Sequence, residues 1–478
     1  MKQIKIYSKT REILGDILTP VSIYLKVRDQ FPNSFLLESS DYHGKENSIS
    51  YIAFSPLAEF KVDKGYVIEQ FPDEPAEFKS LSDINVLAAF QKFLGCFSTG
   101  KDAHAGFTKA GLFGFTAYEG VQLFENIKFN SEKTKDFELP LMQYFFFEYV
   151  IAFDHFSNKI FITHNALQDE SQAFKLDEIE MLISSNNTPE YSFQSNGQVN
   201  SNMTDAEYRE GVLKAIEHCQ RGDTFQMVLS RSFNTEFKGD EFLLYRALRS
   251  INPSPYLFYF DYGSFKIFGS SPEAQLEVNN EQAAIFPIAG TYKRTGDDEQ
   301  DAVAAKALSE DEKETSEHVM LVDLARNDLS KSGDQVTVEK FKEIQFFSHV
   351  IHLVSKVSTY LKKGKTAVDL AADTFPAGTL SGAPKHRAMQ LIDEYESSQR
   401  GYYGGMIGLM DFHGNFNHAI LIRSFLSQNN KLHFRAGAGV VAKSDPDSEV
   451  QEVYNKIGAL ESAIKKADSI NQKLEAQQ

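Results

Sequence analysis

The sequence predicts an α/β chain of the α+β type, in which helices are inserted between the hairpins of a large antiparallel sheet. Three observations carry that reading. Short apolar or aromatic runs bounded by turn residues recur along the chain, as strands joined by hairpins do. Segments of helical period stand between them, and one opens with a capping box. No regular strand–helix alternation and no short internal repeat is visible, which argues against a succession of βαβ units.

The elements follow in order. Up to about Asn165 the pattern is strand-rich: residues 35–37, 144–153 and 160–162 read as strands, and residues 86–94 as a helix. Residues 184–203 are polar and lack apolar period, so they read as a linker between a first domain, 1–183, and a second, 204–468. The second opens with Thr204-Asp205-Ala206-Glu207, a capping box ahead of a helix through Cys219. A strand at 225–229 and a helix at 243–249 come next. They are followed by a hairpin, 256–260 with 265–268, turning at Asp261-Tyr262-Gly263. A further strand, 284–288, leads into Ala289-Gly290-Thr291, and residues 310–325 read as a helix. Residues 406–412 and 416–425 form a second hairpin, extended by 432–441, before a last helix at 448–466.

Composition narrows the function. The 478 residues are 42% hydrophobic, with Phe 40 and Tyr 20, enough for a full aromatic core. A net charge of -17 excludes a nucleic-acid role that depends on phosphate neutralisation, and an anionic metabolite would need local positive charge. Cys96 and Cys219 fit a reducing compartment and offer no disulfide or metal framework. The N-terminus has no apolar leader, and the most apolar stretch, 139–153, is broken by Gln143 and Glu148 and is too short for a bilayer. A soluble cytoplasmic protein without a membrane partner is expected.

Chemistry concentrates in a few places. Glu314/Glu317 and Glu449/Glu452 are Glu-x-x-Glu pairs on segments that read as helices. Carboxylates at i and i+3 share a face and repel unless a cation lies between them. Two such faces brought together make an oxygen-only site suited to Mg²⁺, although on an acidic chain each pair alone also reads as a solvated face. Gly290-Thr291, Gly378-Thr379, Gly382 and Gly437-Ala438-Gly439 cluster where strands stop and offer backbone N–H groups to an anion, or serve simply as tight turns. Arg423 interrupts Ala419-Ile420-Leu421-Ile422, which reads as a buried strand, and His352 sits within Val350-Ile351-His352-Leu353-Val354. An Arg so placed snorkels or clamps a carboxylate, and a His so placed is a satisfied core residue or an active one.

Taken together, four stretches are similar to the chorismate-utilising enzymes, most nearly to their anthranilate synthase component I branch. They are Pro287-Ile288-Ala289-Gly290-Thr291, the run 317–328, Gly378-Thr379-Leu380-Ser381-Gly382-Ala383-Pro384-Lys385, and Gly437-Ala438-Gly439 followed by 446–452. The resemblance implies a large antiparallel β-sandwich flanked by helices. It implies Mg²⁺ held by Glu317 and Glu452, with Glu314 and Glu449 behind them or acting through water. Arg423, Tyr403 and the 437–439 backbone would hold the enolpyruvyl carboxylate of chorismate, and Gly290 and Thr291 would line the ring. His352, Gln226 and Thr379 would be the catalytic residues.

The branch is chosen at two positions. Relatives that add water carry a Lys base where this chain has Gln226, and aminodeoxychorismate synthases carry a nucleophilic Lys where it has Ala289. What remains is ammonia addition, then pyruvate loss to give anthranilate. The ammonia is expected from a separate glutamine amidotransferase subunit. Aminodeoxychorismate synthase component I and a silent tryptophan-sensing homologue stay as alternatives. By the same resemblance Glu38, Ser39, Pro255, Tyr256 and Leu257 would bind L-tryptophan as inhibitor, and the absence of Trp from the chain fits a pathway that runs when tryptophan is scarce.

Overall fold

The computed structural model describes residues 2–39, 49–100, 107–167, 175–346 and 350–475. Its strands form a long antiparallel run in which neighbours are often distant in sequence. Strand Gln226–Gly239 pairs with Lys431–Val441, and that strand pairs with Ser424–Gln428. The run continues through Lys266–Ser271 and Tyr256–Asp261 to Phe35–Glu38 and Ile49–Asp63. From there Met142–Asp154, Gly111–Thr116, Met406–Asp411 and Phe416–Ile420 lead to Ala274–Asn279. The two halves of the chain thus share one sheet system, through Phe35↔Phe260 and Met406↔Thr116.

The run forms a sandwich because its strands bury both faces. One apolar cluster is drawn almost wholly from strands, among them Phe35, Phe113, Phe147, Phe260 and Ile267. Phe35 stacks on Phe260 with centroids 4.1 Å apart and meets Phe147 edge-on at 5.0 Å. Rings in these geometries add roughly 0.5–1.5 kcal/mol per pair beyond their buried area. Two further clusters join the outer faces to helices, one to Asp205–Arg221, Glu241–Ile251 and Pro446–Glu475, the other to Val86–Leu94 and Glu312–Ser332. No helix among the described residues is long and apolar enough to cross a membrane.

Four local expectations change. The strand read at 225–229 extends to Gly239, because Ser230, Arg231 and Ser232 are buried with polar partners instead of ending it. The helix read at 310–325 starts at Glu312 and runs on to Ser332, set off from a preceding helix, Asp298–Glu310, at Asp311, whose carboxylate accepts the Glu314 N–H at 3.0 Å. The strand read at 416–425 ends at Ile420 and resumes at Ser424, so Arg423 lies in a turn with φ of 49°. Within 184–203, read as a linker, Phe193–Ser195 and Asn200–Ser201 are strands zipped onto Gln226–Gly239.

A buried charge cluster ties these layers together. Glu396 accepts the Arg400 guanidinium at 2.6 and 2.9 Å, the Arg435 guanidinium at 2.8 Å, and the Ser230 N–H and hydroxyl at 2.8 Å. Burial opposes its ionisation, yet Arg400 and Arg435 outweigh that and hold Glu396 below the usual carboxylate value. Arg400 also donates to the carbonyls of Leu380 and Val228, both at 2.6 Å, and its own N–H reaches Glu119 at 2.7 Å. Glu396→Gln leaves two buried guanidiniums short of their anion. The variant is expected to lose about 3–5 kcal/mol in urea unfolding, far more than an exposed pair would cost.

Candidate active site

Four segments deliver the functional side chains to one end of the sheet. Strand Lys431–Val441 brings Gly437-Ala438-Gly439 against Gln226–Gly239, with Gly439 opposite Val228. A Cβ on Gly439 would lie 2.6 Å from Gln226 Nε2 and 3.7 Å from Glu317 Oε1, so only glycine admits the approach of both. Gln226 Nε2 donates to Glu317 Oε1 at 2.9 Å, which couples the strand to helix Glu312–Ser332. The other amide atom, Gln226 Oε1, is buried without a hydrogen-bond partner among the described residues.

Gly290 occupies a break in the pairing of Ile288–Lys293 with Val350–Leu361. Its φ of +69° is one that residues with a Cβ rarely adopt, and a Cβ there would strike Leu308 and lie 3.3 Å from Glu314 Oε2. The freed Gly290 carbonyl accepts His352 Nδ1–H at 2.6 Å. A carbonyl can only accept, so the Nδ1 hydrogen is committed and Nε2 carries the lone pair. Burial lowers the His352 pKa, the Gly290 bond opposes this and Arg423 adds to it, so the imidazole stays neutral at pH 7. Thr291 follows on the same strand; its side chain lies outside the described residues.

Glu273 was not singled out by sequence reasoning. It follows strand Lys266–Ser271 and accepts the Thr379 hydroxyl at 3.0 Å. Burial pushes its pKa up to about 7, against the Thr379 bond and the charges of Arg423 and Lys456. A carboxyl that keeps its proton near neutrality and faces a cation is a proton donor in waiting. The available signal was Ser271-Pro272-Glu273, an acid set directly behind an apolar strand. Lys456 was also missed: one helical turn beyond Glu452, it bonds that carboxylate at 2.7 Å and the Gly437 carbonyl at 2.9 Å.

The Arg423 guanidinium makes no hydrogen bond or ion pair among the described residues. Burial depresses its pKa and Glu273 alone opposes that, the electrostatics of a guanidinium shaped for an incoming carboxylate. Tyr403 lies buried nearby, its ring 5.8 Å from the Arg400 guanidinium.

The four glutamates stand on two helices, Glu314 and Glu317 on Glu312–Ser332 and Glu449 and Glu452 on Pro446–Glu475. Among the described residues no three acidic, His or Cys side chains close into a metal cage. Mg²⁺ does not need one, since it commonly takes one or two carboxylates and completes its shell with water and substrate. The oxygen-only donor set and the partnerless Gln226 Oε1 beside Glu317 fit such an ion.

The segments matched to a tryptophan site also meet. Glu38 lies opposite Leu257 on adjacent antiparallel strands, with Ser39, Pro255 and Tyr256 beside them. Glu38 accepts Tyr245 Oη at 2.5 Å and Arg249 Nε at 3.1 Å, both from helix Glu241–Ile251; burial raises its pKa against the Arg249 charge. The Ser39 N–H donates to Ser50 Oγ at 3.3 Å, and the Tyr256 hydroxyl bonds Glu277.

Comparison with known proteins defines the class. The chorismate binding enzyme family matches residues 33–462, and the chain belongs to that family. It is an enzyme that acts on chorismate. Its relatives include anthranilate synthase component 1 of Acetivibrio thermocellus, 36% identical over 98% of this chain and 97% of that protein. The Thermus thermophilus anthranilate synthase component 1 is 34% identical, over 98% of this chain and 100% of its own. Among solved structures, anthranilate synthase component I of Streptococcus pneumoniae superposes with a TM-score of 0.75 at 31% identity, covering 94% of this chain and 99% of that one. The menaquinone-specific isochorismate synthase of Escherichia coli shares the fold, with a TM-score of 0.72 at 19% identity over 97% and 96% of the two chains.

Glu273 gives this site a measurable signature. Its folded pKa of about 7 lies above the ordinary 4.5, so its contribution to stability is full below about 4.5 and is lost as pH rises through about 7. In ¹³C-labelled protein one Glu carboxyl should titrate near pH 7 and vanish in Glu273→Gln. A set of glutamates all titrating near 4.5 would show Glu273 ionised.

Proposed function

We propose that the chain aminates chorismate at C2 and eliminates pyruvate to form anthranilate, through 2-amino-2-deoxyisochorismate. The observation that carries this reading is that Glu273, protonated near neutrality, and the neutral imidazole of His352 both feel the charge of Arg423, a cation without an ion-pair partner among the described residues. Arg423, with Tyr403 and the 437–439 backbone, takes the enolpyruvyl carboxylate. Glu273 protonates the departing 4-hydroxyl, which leaves as water while nitrogen bonds to C2, and the carboxylate so formed takes up the proton that the new ammonium sheds. This moves the acid role away from His352, whose Nδ1 hydrogen is committed to Gly290. His352 Nε2 then takes the C2 proton as the ring C–O bond breaks, and the released enolpyruvate gains a proton at its methylene carbon to become pyruvate, which balances the one taken from C2. Thr379 fixes the Glu273 carboxyl by its hydroxyl.

Mg²⁺ held by Glu317 and Glu452, with Glu314 and Glu449 behind them, would neutralise the ring carboxylate and admit a dianion to an acidic pocket. Gln226 is an amide and cannot deprotonate water, whereas ammonia needs no base. Ala289 cannot form a covalent adduct, which sets aside aminodeoxychorismate synthesis. The relatives' designation as component 1 supports a companion subunit, and we assign it the release of ammonia from glutamine in the cytoplasm.

The test is direct. Purified chain given chorismate, ammonium and Mg²⁺ should develop anthranilate fluorescence, lose it in excess chelator and regain it with Mg²⁺. Glu317→Gln should lower kcat/KM by about 100-fold or more while remaining folded. Isochorismate as the product, or full turnover in chelator, would overturn the reading.

Feedback belongs to the same proposal. Ser39 and Glu38 offer polar groups for the ammonium of L-tryptophan, while Pro255, Tyr256 and Leu257 offer an apolar wall. L-Tryptophan should inhibit anthranilate formation, and Ser39→Leu should raise the half-inhibiting concentration at least tenfold with uninhibited turnover intact. Indifference of the parent enzyme to millimolar tryptophan would refute it.

A further inference from the structure

Arg423 holds a left-handed backbone conformation, φ 49°, that a residue with a Cβ rarely adopts and that persists only where neighbours enforce it. One enforcing contact is plain: the Ser270 N–H donates to the Arg423 carbonyl at 3.1 Å. Ser270 is wholly buried on strand Lys266–Ser271, and its side chain points elsewhere. Its hydroxyl donates to the carbonyl of Asn252, the residue that caps helix Glu241–Ile251. That helix carries Tyr245 and Arg249, the two groups that grip Glu38. Ser270 also lies directly across from Leu257 in the strand pairing. A continuous set of bonds therefore runs from Glu38, through Tyr245 and Arg249, along the helix to its cap, and through Ser270 to the backbone of Arg423.

We infer that Ser270 is a positioning residue that holds Arg423 for the substrate carboxylate and transmits to it the state of the Glu38–Leu257 pocket. The inference rests on the feedback reading above. Occupation of that pocket rearranges the groups around Glu38, the helix cap shifts, and the Ser270 bond carries the shift to the turn that aims the guanidinium. Ser270 touches neither ligand, so its loss should spare each site and weaken what passes between them. Such coupling is reciprocal and is read as one number, the factor by which tryptophan weakens chorismate binding and chorismate weakens tryptophan binding.

The experiment measures that factor in the full chain. Tryptophan affinity is determined by calorimetry with and without saturating chorismate, in Mg²⁺ and without ammonia so that no turnover occurs. Ser270→Ala removes the hydroxyl and leaves the backbone bond to Arg423. It should keep the tryptophan affinity of the free enzyme within threefold and uninhibited kcat within twofold, while the coupling factor falls at least fivefold toward one. Ser270→Thr, which restores a hydroxyl, should recover coupling, an outcome a general loosening of the fold would not produce. Ser270→Cys, a weak donor of similar size, carries the reading should the alanine variant fail to fold. An unchanged coupling factor in Ser270→Ala overturns the inference while leaving the feedback reading intact. A parent enzyme that binds no tryptophan overturns both.

Discussion

The rest of the structure depends on one buried carboxylate. Glu396 stands between two arginines, and the three together tie a pair of sheet strands to a loop and to the first half of the chain. Arg435 belongs to the strand of Gly437-Ala438-Gly439, and Arg400 precedes Tyr403. Ser230 belongs to the strand of Gln226, while Glu119, which receives the Arg400 N–H, comes from the first half. Three charges in an apolar interior are expensive unless each is neutralised and hydrogen-bonded, so the sheet, the turn and the loop must be in register before the cluster is tolerable. The substrate-facing backbone at 437–439 inherits its position from that requirement.

The same economy governs the site. The chain is acidic overall, at -17, yet its ligand is an anion. Local groups resolve the conflict. Arg423 has no carboxylate partner among the described residues, and Glu273, the acid whose charge it feels, keeps its proton because burial makes ionisation costly. Had Glu273 been ionised it would have paired with Arg423 and closed the pocket to a carboxylate. A proton on one residue therefore keeps a cation available on another.

Much of this was readable from residues. Periodicity placed the helix at Val86–Leu94 to the residue, because local rules decide such an element. Among the motif stretches, Gly290, His352, Glu317 and Gly437 to Gly439 were visible as residue types out of keeping with their surroundings, whereas Gln226 stood out only through the family resemblance. What escaped was set by distant partners. The strand from Gln226 ran past its expected end because Ser230, Arg231 and Ser232 find partners elsewhere in the chain, which no window of neighbours reveals. The left-handed turn at Arg423 was hidden in an apolar run for the same reason. Glu273 looked like one acid among 66 Asp and Glu, since its proton affinity exists only once the sheet has closed over it.

The sharing of one sheet system by both halves has a consequence for how the chain is made. Strand Phe35–Glu38 has Ile49–Asp63 on one edge but finds its second partner only when Tyr256–Asp261 has been synthesised, and Gly111–Thr116, beside Met142–Asp154, must wait for Met406–Asp411 on its other edge. For most of its time on the ribosome the nascent chain presents strands with one edge bare, rich in phenylalanine and unable to close alone. Closure comes last, when Lys431–Val441 slots beside Gln226–Gly239 and the helix Pro446–Glu475 covers it. A ribosome that stops short of that strand releases a sticky half-sheet, so the burden of quality control falls on the final stretch of translation.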